Sequence, residues 1–193
     1  MIDTSRSAGF RAWTTILILL DTGLRANELV GLTLNEVNLE DGIVKVYGKG
    51  AKERIVPIGA RVQRAIWKYF QHHRPEPANP LCNNLFLTKN GEPITVNRLE
   101  TIIEYHGKKA QVKGCRCSPH SLRHTFVISY LRDGGNVFSL QRILGHSTLD
   151  MVRNYIALTQ SDLQAAHLPC SPVDNLRLKV GRLHTQRQKG VLT

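Results

Sequence analysis

Apolar residues recur at helical spacing along most of this chain and switch to strict alternation in one short window. Trp13, Leu17 and Leu20, with Ile16 beside them, predict a helix over Phe10–Leu20 that stops at Asp21-Thr22-Gly23. A second short helix opens at Leu24-Arg25-Ala26-Asn27-Glu28-Leu29 and closes near Gly31. From Val37 the period becomes two. Val37–Leu39 and Ile43–Tyr47 read as strands around the Asp41-Gly42 turn, and Arg54–Ile58 reads as a third. The turn Gly48-Lys49-Gly50-Ala51-Lys52-Glu53 joins the last two and projects lysines. It lacks the Lys-Ser/Thr that a phosphate-cradling Walker loop needs, so that reading is set aside.

Helical spacing returns over Ala60–His73, with Val62, Ala65, Ile66, Tyr69 and Phe70 facing inward. Pro75, Pro77 and Pro80 make Arg74–Asn84 an irregular loop. Leu85–Thr88 and Pro93–Val96 are short extended pieces around Asn90-Gly91. Asn97 caps a helix running from Arg98 to about Ala110, with Leu99, Ile102 and Ile103 buried. Next, Ser118 caps a helix with Pro119 in its first turn, where proline loses no hydrogen bond. Val127 and Leu131 carry that helix into the core, and Asp133-Gly134-Gly135 stops it. A shorter helix buries Leu140, Ile143 and Leu144 and stops at Gly145. Thr148 then caps a helix with Val152, Tyr155 and Ile156 on one face. Ser161–His167 is a last short helix. The pattern as a whole predicts a mainly α protein with a small antiparallel sheet, an α+β fold.

Composition narrows the partners. Lys and Arg number 26 against 15 Asp and Glu, a net charge of +11, which favours a polyanion and nucleic acid first. An aromatic content of 6% weighs against a single-strand binder built on stacked bases. The longest apolar run, Ile16–Leu20, is far too short to span a membrane. No signal peptide precedes the four cysteines, so free thiols in a reducing cytoplasm are expected. Cys115-Arg116-Cys117 with His120 lacks both the spacing and the second pair of a zinc site, so no metal is expected.

The polar residues that break these patterns form a set. His120, Arg123 and His124 share one face at the amino end of their helix, where unpaired N–H groups and the positive dipole end suit an anion. His146 follows a helix-stopping glycine, on a turn where packing rarely needs a side chain. Arg25 stands between two elements, with Glu28 three residues on and able to hold its planar fork toward a phosphate. Singly, each has a plain structural reading: a surface ion pair, a helix cap, a solvated lysine turn, a core tyrosine. Together, Arg25, Lys49, His120, Arg123, His146 and Tyr155 supply two guanidinium groups for a phosphodiester, a hydroxyl nucleophile, and a lysine to protonate a leaving oxygen. The sequence shows no acidic cluster for two-metal chemistry, which suits a covalent route.

TGLRANEL at Thr22–Leu29, GKGAKERIVPI at Gly48–Ile58, HSLRHTF at His120–Phe126, LGH at Leu144–His146, and Tyr155 stand in one order and spacing. In this the chain resembles the catalytic domain of the tyrosine recombinases, the phage-integrase family that includes the Xer-type enzymes. The resemblance implies that family's breaking–rejoining fold, with the small sheet carrying the lysine. It also implies strand cleavage through a 3′-phosphotyrosine, the chemistry shared with type IB topoisomerases, followed by rejoining, with no cofactor. Carried over, Arg25 and Arg123 clamp the scissile phosphate, and Lys49 is the general acid with Lys52 as its rival. His120 and His146 bind the phosphate and assist proton transfer, while Tyr155 attacks. Glu28 orients Arg25, and His124 is a supporting member.

The polar start reads as a linker stub at 1–9 and the basic tail at 169–193, with no acid from Asn175 onward, as disordered; the resemblance assigns the catalytic domain to 10–168 and implies that the tail docks in trans instead. It implies an amino-terminal core-binding domain that this chain lacks. The expected partners are double-stranded DNA, further copies of the chain in a tetramer on DNA, and DNA-bending accessory proteins, with integration or excision of a mobile element as the setting. Two rival readings remain. One is a non-catalytic DNA-binding accessory fragment of the same fold, and the other a generic RNA-binding domain.

Overall fold

A computed structural model describes residues 2–48 and 53–145. Six helices and a three-stranded sheet are described: α1 (Ser7–Thr22), α2 (Ala26–Gly31), β1 (Val37–Asn38), β2 (Ile43–Tyr47), β3 (Glu53–Pro57), α3 (Ala60–His72), α4 (Val96–Lys109), α5 (Pro119–Arg132) and α6 (Val137–Leu144). The sheet is antiparallel in the order β1-β2-β3, with Val44 opposite Val56 and Val46 opposite Arg54. Lys49, Lys52, His146, the helix expected to carry Tyr155, Ser161–His167 and the tail at 169–193 lie outside the described residues.

Helix α1 is the central element, packed against α3, α4 and α5. It starts three residues earlier than the apolar pattern indicates and runs two further. Its most buried side is also not the expected one. Trp13, Ile16 and Leu17 are only partly covered, while Arg11, Thr14, Thr15, Ile18, Leu19 and Thr22 are buried. The threonines tolerate this because each hydroxyl donates to a carbonyl of its own helix: Thr14 to Phe10 O at 2.9 Å, Thr15 to Ala12 O at 2.9 Å and Thr22 to Ile18 O at 2.6 Å. A helix enclosed on several sides needs no polar stripe.

Three other sequence expectations are corrected. Phe70 is 44% exposed. Val62, Ala65, Ile66 and Tyr69 centre the buried stripe of α3, and Phe70 falls at its edge, about 80° away at 100° per residue. Helix α4 is capped by Thr95, whose Oγ1 accepts from Arg98 N at 3.2 Å, so Asn97 lies inside the first turn. The extended pieces at Leu85–Thr88 and Pro93–Val96 pair through an isolated antiparallel bridge between Leu87 and Pro93, but the second stops short of Val96, which is already the first residue of α4. One further turn, a 3-10 turn at Leu34–Glu36, has no counterpart in the apolar pattern and is held by Glu36 Oε2 accepting from Thr33 N at 2.7 Å.

The main core joins α1, α3, the inward valines of the sheet and Leu99 and Ile103 of α4. A smaller cluster of Phe126, Val127, Leu140 and Leu144 ties α5 to α6. At about 1.5–3 kcal/mol per buried side chain, that cluster holds the two helices together. Gly23 links the two regions. It ends α1 in the left-handed conformation, with φ at 61°, and a Cβ there would collide with the Phe126 ring.

Candidate active site

The site is built where α1 hands over to α2, beside the amino end of α5. Arg25 is the extended residue that opens α2, so its side chain points off the helix rather than along it. Glu28 sits at the third position of that helix. Its Oε2 accepts from Arg25 N at 2.8 Å, and its Oε1 accepts from Arg25 Nη1 at 3.1 Å. One carboxylate therefore closes the helix start and holds the arginine. The sequence expectation that Glu28 faces Arg25 holds.

Ser118 and Ser121 cap α5 reciprocally: Ser118 Oγ accepts from Ser121 N at 3.2 Å and Ser121 Oγ from Ser118 N at 2.8 Å. That first turn places His120 and Arg123. The Arg123 guanidinium donates to Gly23 O, and its Nη2 donates to Leu144 O at 3.2 Å. Arg123 thus joins the α1–α2 turn to the end of α6, two residues before His146. Arg25, His120 and Arg123 line one cavity of about 320 Å³ together with Leu24, Glu100, Arg116 and Ser118. Three arginines and a histidine face a single acid, Glu100, at a helix start, an arrangement suited to a phosphate. His124 is exposed and does not line this cavity.

Three residues here were not singled out in the sequence as members of the site: Glu100, Arg116 and, above all, Arg54. Arg116 closes a basic stretch that begins at Lys108-Lys109, and it lines the cavity. Arg54 lies behind the cavity. Its Nη1 and Nη2 donate to Glu28 Oε1 and Oε2, both at 2.8 Å, and its Nε donates to Ile143 O at 2.8 Å. The two side chains are 12% and 6% exposed. Glu28 is thereby shared between a buried fork and the exposed Arg25. Burial pushes the Glu28 carboxyl up, but the hydrogen bonds and charges of Arg54 and Arg25 outweigh it and hold the group below the usual glutamate value. Gly145, left-handed at φ 65°, ends α6 directly against Arg54, and a Cβ there would lie 3.0 Å from Arg54 Cδ. The signal for Arg54 was the alternation itself, which puts an arginine on the inward side of β3 with Val56 and so calls for a buried acid.

The pattern of the phage integrase family matches residues 1–162 of this chain. The tyrosine recombinase XerD of Staphylococcus aureus is 35% identical over 163 residues, which cover 84% of this chain and 55% of that protein. The crystal structure of XerA recombinase superimposes with a TM-score of 0.73 at 30% identity, over 86% of this chain and 60% of that one. XerH recombinase bound to its difH substrate in a pre-cleavage complex gives a TM-score of 0.70 at 25% identity, over 83% and 48%. The chain spans about half the length of the curated relatives it matches. With a helical fold around a small antiparallel sheet, and with Arg25, His120 and Arg123 gathered on one cavity, the chain belongs to the phage integrase family, as a tyrosine recombinase catalytic domain.

Proposed function

We propose that this domain cleaves and rejoins duplex DNA through a 3′-phosphotyrosine, with Tyr155 as nucleophile. The Tyr155 hydroxyl attacks phosphorus, the bond from phosphorus to the 5′-oxygen breaks, and Lys49 delivers a proton to that oxygen. The tyrosine proton leaves through His120 or His146. The energy of the broken linkage stays in the phosphotyrosine, so a free 5′-hydroxyl of another strand can reverse the step without a cofactor. Arg25 and Arg123 hold the non-bridging oxygens and offset charge in the transition state. The observation that carries this reading is the convergence of Arg25, His120 and Arg123, from separate stretches of chain, on one cationic cavity. The Tn1549 transposon integrase, solved in complex with circular intermediate DNA, makes DNA the substrate class to test first.

In the cell the reading places the domain in the cytoplasm, acting as several copies on DNA and with DNA-bending helpers, in integration or excision of a mobile element. No helix among the described residues is long and apolar enough to cross a membrane. The test is a nicked duplex carrying the core site, in which cleavage releases a short strand and traps the adduct. A covalent protein–DNA band that disappears in Tyr155→Phe is the expected result. Binding without any adduct, at high protein concentration and low salt, would instead leave an accessory DNA-binding module.

A further inference from the structure

A second cavity, of about 450 Å³, lies between the amino end of α1 and one face of α4. Arg98, Thr101, Ile102, Tyr105, His106 and Lys109 recur along α4 at one-face spacing and line it. Glu100, which lines the candidate active site, falls on the opposite side of that helix, and the two cavities share no residue. From α1 comes Arg11, only 6% exposed. Arg11 Nη1 donates to Leu87 O at 2.5 Å, its Nε has no partner, and it takes part in no ion pair among the described residues. Burial works against its charge, and the neighbouring Arg98 charge adds to that, with only partial relief from Tyr69.

The rest of the lining sharpens the imbalance. The Nδ1 of His106 is buried without a partner. Arg98 and Lys109 make no ion pair among the described residues. The one lining acid, Asp3, is engaged by Ser5 N at 3.0 Å, by Ser5 Oγ at 2.6 Å and by Arg6 at 3.7 Å. A buried guanidinium with a single carbonyl partner and no counter-charge is costly, and a bound anion removes the cost. Arg98 and Lys109, both exposed, can follow the shape of the anion, while Arg11 is fixed by its bond to Leu87 O.

We propose that this cavity binds a phosphate group, with Arg11 as its buried anchor and Arg98 and Lys109 closing over it. The phosphate belongs either to a DNA backbone running outside the active site or to a free phosphate compound. The proposal does not rest on the strand-transfer chemistry above, and its test is separate. Backbone amides of the labelled chain are followed by NMR while inorganic phosphate, then pyrophosphate, is added against chloride at matched ionic strength. Saturable shifts in residues 9–12 and 98–109 are expected, retained in Arg123→Ala and at least about tenfold weaker in the double variant Arg98→Gln, Lys109→Gln. Both substituted side chains are exposed, so the fold should survive. A short duplex then separates the sources. If the phosphate is DNA's, the duplex shifts the same amides, and the double variant flattens the slope of log K against log salt by about 0.9, for one phosphate. If it is a free compound, the duplex leaves those amides and that slope unmoved while phosphate still binds. Shifts no larger than those from chloride, with phosphate, pyrophosphate and duplex alike, would overturn the site.

Discussion

Replacing Arg54 with methionine removes the fork that Glu28 shares with β3 while keeping most of the apolar stem. Two hydrogen bonds to Glu28 and one to Ile143 O are lost, and the carboxylate, 6% exposed, keeps only Arg25. Stripping one partner from a buried pair costs about 3–5 kcal/mol. Arg25 still reaches Glu28 through its backbone N–H and Nη1, so the expected loss is at the lower end, about 3 kcal/mol. Arg54→Lys retains the charge but not the fork, and should lose about half as much. Urea unfolding of wild type, Arg54→Met, Glu28→Gln and the double variant gives the coupling directly, provided m is unchanged. It should lie at the upper end of the usual range, about 2–3 kcal/mol. The functional readout is adduct formation per folded molecule at a temperature where all four are native. It should fall in both single variants, because Arg25 loses its fixed direction. Additive stabilities, or a loss below about 1 kcal/mol for Arg54→Met, would show that Glu28 is served by Arg25 alone and refute the argument.

Other outcomes follow from the same geometry. Arg25→Ala and Arg123→Ala should each slow adduct formation by about 3 kcal/mol, roughly a hundredfold or more. Arg123→Ala should also lower the urea midpoint, since Gly23 O and Leu144 O lose their donor, and normal cleavage by either variant removes the phosphate clamp. For pH, the folded-state pKa of Glu28 is depressed, so its stabilisation is complete above the unfolded value of 4.5 and is lost as pH falls below it. In Arg54→Met that pKa rises and acid unfolding should begin at higher pH; superimposable acid titrations of the two proteins would contradict this. Gly23→Ala should destabilise by more than about 1 kcal/mol, through a strained backbone and the Phe126 collision, and a neutral result in thermal unfolding would deny that contact. Duplex binding should weaken steeply with salt, and a flat response argues against a DNA partner.

What the sequence disclosed, and what it hid, divides along a physical line. Local rules were enough for Ser118 with Pro119, for the stop at Gly145 and for the pairing of Arg25 with Glu28, because each is decided within one helical turn. The hairpin was equally open to reading, since alternation and Asp41-Gly42 leave little choice. Where two local signals competed, the tertiary setting chose: Thr95 rather than Asn97 caps α4. On α1, apolarity was a poor guide to depth, because threonines that bond to their own helix, and an arginine held by a distant carbonyl, are buried more fully than a tryptophan.

The residues that escaped notice are those whose partners are remote in sequence. Arg54 meets Glu28 across 26 positions and Ile143 across 89, and nothing in a short window around GKGAKERIVPI announces either. Yet the inward register of β3 already posed the question, since an arginine beside Val56 must find an acid or go unpaired. That single side chain makes the site interdependent. Arg54 holds the acid that orients Arg25, and it holds the end of α6, whose Leu144 carbonyl in turn receives Arg123. Arg25 and Arg123 are therefore each set by a contact that the other's framework also needs, which is how a cationic cluster can be kept open and aimed before any phosphate arrives to neutralise it.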